Sequence, residues 1–102
     1  SCTSALECAL SGTVELHLRK DMELSHPRAE TDSHYIFMGF DPLIDNAAKS
    51  ALREAISFLG QQRAMSRDDA YTLCSLAVDL HVTQIVNGVK GVHAMLPKAI
   101  LA

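Results

Sequence analysis

Two windows of helical periodicity, residues 41–59 and 66–80, stand between runs whose apolar side chains follow strand spacing, and this order limits the fold more than any other feature of the chain. In the first window, Asp41-Pro42 is a helix start with a mechanism: the carboxylate caps free backbone N–H groups, and proline at the first helical position loses no hydrogen bond. Ile44, Ala48, Ala51, Ala55 and Phe58 then share one stripe, with Lys49, Arg53 and Gln62 turned elsewhere, and Gly60 is the expected stop. In the second window, Ser66 and Asp69 make a near version of the capping box, and Asp68 and Asp69 suit the positive end of the helix dipole. Ala70, Leu73, Cys74 and Ala77 supply its apolar stripe, and the helix is expected to end near Leu80. The short link between the two favours an antiparallel helical hairpin.

Around this pair the chain reads as strand. Leu6, Cys8 and Leu10, then Val14, Leu16 and Leu18 against Glu15, His17 and Arg19, alternate with period two, and Ser11-Gly12 between them allows either a turn or a bulge. Residues 25–33 are polar, contain His26-Pro27 and are expected to be irregular. Residues 34–38 follow as a strand covered on both faces, since its apolar residues do not alternate, and Gly39 ends it. Runs 82–86 and 89–95 flank Asn87-Gly88, the pair best suited to a two-residue hairpin turn, and Gly91 marks a bulge or a close backbone approach. The expected fold is one α+β unit: β-sandwich-type strands with an inserted antiparallel helical hairpin and a C-terminal β-hairpin.

With 102 residues the chain holds one modest core. Its formal charge of −3 is spread over interleaved signs without a Lys/Arg cluster, which argues against nucleic acid as a partner, and no apolar run is long enough to cross a bilayer. Three cysteines without Cys-x-x-Cys spacing favour reduced thiols over a disulfide framework or a zinc ribbon, and so a cytoplasmic location.

Several side chains are candidates for chemistry. An unbroken two-residue hairpin would set His81 against Ala94 and His93 against Val82, so the two imidazoles are expected on opposite sheet faces, unable to share an ion without a bulge. Glu7 lies among the small residues Ala5 and Ala9, opposite Leu6 and Cys8, and reads either as a solvated edge carboxylate or as a general base whose partners lie elsewhere. His34 shares a face with Ile36 and Met38, as a hydrogen-bonded structural ring or a catalytic one. Asp79, at the end of the second helix, asks for a cation such as Lys98 or Arg28. Cys74, on a buried stripe, is expected to pack as a small hydrophobe.

The stretch SRDDAYTLCSLAVDLHVTQIVN at 66–87, followed by GVHAMLPK at 91–98, resembles the C-terminal end of acetamidase/formamidase proteins. Residues 41–59 are similar to the helix that precedes that end, and residues 2–7 to the segment after the family's acidic, glycine-rich motif. The resemblance implies a β-sandwich core decorated by helices and hydrolysis of a small linear amide to a carboxylate and ammonia. It implies that the family's Gly-Asp-x-His and Gly-Asp-Gly-Glu type motifs lie before Ser1, so that the chain is the C-terminal part of a larger domain. It also implies that any divalent metal is held mainly by residues outside the chain, with none evident within it. Glu7 is the one position carried over as a candidate active-site carboxylate; His34 stays a catalytic candidate on its strand position alone. The expected partners are a small amide substrate, the N-terminal part of the same enzyme and further copies of it.

Overall fold

The computed structural model describes residues 8–101. Its elements are β1 (Arg28–Glu30), β2 (His34–Asp41), α1 (Ile44–Arg63), α2 (Arg67–Ala77), β3 (Asp79–Gln84) and β4 (Lys90–Pro97), closed by a 3-10 turn at Lys98–Leu101. Among the described residues the strands form one antiparallel sheet in the order β1-β2-β4-β3. The mixed α+β class expected from the sequence is therefore observed; the second sheet of a sandwich is not among the described residues.

Helix α1 lies on one sheet face because its alanine stripe lets it come close. Ala47, Ala51, Ala55, Phe58 and Leu59 are buried against Phe37 of β2 and Val92, Ala94 and Leu96 of β4, and α2 adds Ala70 and Cys74 to the same cluster. Three rings lock the end of this layer: Phe58 sits 4.7 Å from Tyr35 and 5.2 Å from Phe37, centroid to centroid. The Arg28 guanidinium lies over Phe37 and Phe58, 3.8 Å from Glu54, so the edge strand β1 is tied to α1 by charge as well as by apolar contact.

Of the two helix starts only that of α2 follows the sequence reasoning: α1 begins at Ile44 with Leu43 as its N-cap and no side-chain cap bond, so Pro42 stands before the helix and not at its first position. Asp41 closes β2, and its Oδ1 accepts from the Leu43 N–H at 2.9 Å, just before α1 begins. Ser66 caps α2 by accepting from the Asp69 N–H at 3.1 Å. The stops differ more. Helix α1 runs through Gly60 to Arg63, because burial of Phe58 and Leu59 holds that turn, and Ala64 takes the left-handed cap with φ 53°. Helix α2 ends at Ala77, leaving Asp79 and Leu80 to open β3.

The strand expectations need more correction. Residues 8–24 contain no strand, although Val14, Leu16 and Leu18 alternate as expected: alternation assigns faces, but a strand also needs a neighbour to take its backbone hydrogen bonds. Residues 28–30, expected to be irregular, form β1 because β2 supplies that neighbour, and the Met38 N–H extends the pairing to the Pro27 carbonyl at 3.1 Å. Gly39 does not end β2. It is buried beneath α1, where an added Cβ would lie 2.6 Å from the Ala51 backbone nitrogen, so its missing side chain sets the helix-to-sheet spacing.

Candidate functional site

On the sheet face turned away from α1, the register places side chains in columns. Ala29, Ile36, Met95 and Asp79 form one, and Met38, His93 and His81 form the next. Ile36, Met38 and Met95 are only partly buried and stand outside the core cluster, so this face presents apolar surface beside two imidazoles.

The hairpin explains the pairing of the histidines. Asn87 and Gly88 both take left-handed backbone, φ 68° and 79°, as the expected turn requires. Next to it, Gln84 pairs with Gly91, as the unbroken register demands. Between Val82 and Gln84 the register then shifts by one residue, and beyond that bulge Val82 faces Val92, Leu80 faces Ala94 and His81 faces His93. The expectation of imidazoles on opposite faces is thus overturned by one extra residue, Thr83. The rings stack with centroids 5.3 Å apart and planes 14° from parallel. Thr83 Oγ1 lies 2.7 Å from His93 Nδ1, leaving Nε2 as the unengaged ring nitrogen in that bond. Burial of His93, together with the facing His81, lowers its pKa below the ordinary imidazole value.

Glycine at 91 permits this arrangement. A Cβ there would lie 2.8 Å from Phe40 Cε1 and 3.1 Å from Thr83 Cβ, so the bulge expected near this glycine is present in the facing strand, and what approaches Gly91 closely is side chain and not backbone. Gly91 was the one signal in the sequence that could have located the pair.

The other candidates lie apart. Glu7 is outside the described residues. His34 opens β2 with Nδ1 2.7 Å from Ser33 Oγ, while its N–H donates to Thr31 Oγ1 at 3.0 Å. It shares the open face, but four residues of β2, roughly 13 Å at strand rise, separate it from Met38, the partner of His93. Of the cations suggested for Asp79, Lys98 holds Glu30 at 2.6 Å and Arg28 holds Glu54. Cys74 is buried, and burial pushes its thiol pKa up, against any role as a nucleophile.

A groove of about 690 Å³ opens on the helix side, lined by Arg19, Asp21, Arg28, Tyr35, Phe58 and Arg63 among others. Its charges are already engaged: Arg19 bonds both oxygens of Asp21, holding that carboxyl down to about 2, and Arg63 donates to the Leu101 carbonyl. Among the described residues no three His, Cys, Asp or Glu side chains come together to hold a metal ion. None of the described helices is long and apolar enough to cross a membrane.

No family model matches the chain, and no curated protein does. Solved structures do. The acetamidase of Bacillus halodurans matches with TM-score 0.70 and 33% identity over 74% of this chain, and the acetamidase of Yersinia enterocolitica with TM-score 0.78 and 30% identity over 81% of it. The chain resembles the acetamidase/formamidase family. This likeness is one of sequence as well as fold, since the same superpositions carry both. The chain spans about a quarter of the length of these acetamidases, 25% of each.

Proposed function

We propose that the chain is part of a hydrolase that cleaves small linear amides, formamide or acetamide in type, to a carboxylate and ammonia. The observation that carries this reading is the match to two acetamidases at 30–33% identity across 74–81% of the chain.

Amide hydrolysis needs three things from a protein. A base takes a proton from water as its oxygen bonds the carbonyl carbon, donors steady the oxyanion, and an acid protonates the nitrogen as the C–N bond breaks. Glu7 is the proposed carboxylate for the first or last of these. His34 is the proposed second group, with Nδ1 held by Ser33 so that Nε2 is presented from the start of β2. The apolar columns of the open face suit a substrate with a short alkyl or no side chain, and the remainder of the enzyme, as the partner of this face, supplies the other acids. A homo-oligomeric, cytoplasmic enzyme completes the reading.

The test is ammonia release by the intact protein from formamide, acetamide and propionamide. Turnover of at least one is expected, with Glu7→Gln and His34→Gln each lowering kcat/KM by about 100-fold or more. No ammonia from any amide would remove the reaction, and unchanged turnover in either variant would remove that residue from it.

A further inference from the structure

We propose that His81 and His93 form a two-imidazole binding site for a borderline divalent metal ion of the Zn2+ or Ni2+ class on the open face of the sheet. The inference stands on the geometry of the hairpin and does not depend on the amidase reading.

The two residues are direct cross-strand partners, so their side chains rise from neighbouring backbone on one face. Their ring centroids are 5.3 Å apart. Two imidazoles bound through one nitrogen each to a tetrahedral ion, at ordinary Zn–N lengths, have centroids separated by roughly 5 Å, so with His93 held in place, rotation of the His81 ring about χ2 brings both rings onto one ion without moving the backbone. Imidazole is the side chain best suited to this class of metal.

Three further features fit a ligand pair better than a packing pair. First, His93 Nδ1 is already held by Thr83 Oγ1 at 2.7 Å, the outer hydrogen bond that fixes the ring orientation of a ligating histidine and leaves Nε2 for the ion. Second, that bond exists only because of the bulge at Thr83 and the missing side chain at Gly91, two local departures from regular sheet that converge on one ring. Third, His81 and its neighbour on this face, Asp79, are exposed, so water or other donors have access to the remaining coordination positions, and the nearby carboxylate favours a cation.

The intact protein, stripped with a chelator, is titrated with Zn2+ by calorimetry while the histidine ring nitrogens are followed by NMR. The wild-type protein is expected to take up one equivalent more than His81→Ala or His93→Ala, with the ring signals of both histidines shifting together. Thr83→Val is expected to keep that equivalent with about tenfold weaker affinity. His81→Gln, which keeps a polar side chain of similar size but removes the second imidazole, is measured beside the Ala variants, so that a folded Gln variant decides the matter even if an Ala variant unfolds. Equal stoichiometry and equal affinity in wild type and His81→Ala would overturn the proposal.

Discussion

Cys74 sits at the seam of α1 and α2, 4% exposed, within the cluster that includes Ala51 and Ala55. Burial penalises its thiolate, so the thiol pKa is raised and the reactive fraction at mildly alkaline pH falls. Cys8 is exposed in a segment without regular structure. With iodoacetamide at pH 8, alkylation of Cys74 in the native protein is expected to be about 100-fold slower than that of Cys8 or more, and to catch up on denaturation; peptide mass spectrometry reads both sites. Comparable native rates at the two thiols would show that the helical pair opens readily. His81 and His93 are a different case at this scale, polar rings brought together by which residue faces which across the bulge.

Helix α1 and strand β2 illustrate how one residue type has opposite consequences within adjoining elements. At Gly39 an added methyl meets the Ala51 nitrogen at 2.6 Å and Ser50 Cβ at 2.9 Å, backbone and stem atoms that cannot rotate away. At Gly60 the nearest atom to such a methyl is the Met65 carbonyl oxygen at 3.7 Å, an ordinary contact. Gly39→Ala is therefore expected to destabilise the intact protein by about 3 kcal/mol through overpacking. Gly60→Ala is expected to stabilise it by about 0.5–1 kcal/mol by removing backbone entropy from the unfolded chain. Urea midpoints of the two variants, measured beside wild type, check the sign of each; a neutral Gly39→Ala would mean that α1 does not rest on β2 as described.

As a whole the molecule is more extended than a typical chain of its length: its radius of gyration is 15.1 Å, where about 13 Å is usual for a compact domain of this size. Leu10, Val14, Leu16 and Leu18 are each 80–90% exposed, an amount of bare apolar surface that a soluble monomer rarely tolerates. The 102-residue chain by itself is thus expected to bind an apolar fluorescent dye and to self-associate at micromolar concentration. The triple variant Val14→Thr, Leu16→Thr, Leu18→Thr is expected to reduce both, as read by dye fluorescence and sedimentation. Equal behaviour of the two chains would place the exposed apolar surface elsewhere. The same segment marks the boundary of what sequence reading reaches. Local chemistry determined the Ser66 cap of α2, the alanine stripe of α1, the left-handed turn at Asn87-Gly88 and the mixed α+β class, because each depends on residues within a few positions of one another. Tertiary structure decided whether an alternating run becomes a strand, how far α1 continues past Gly60, and that His81 faces His93. Backbone hydrogen bonds need a partner strand, a helix end is held by what it packs against, and a single bulged residue moves every later pair by one.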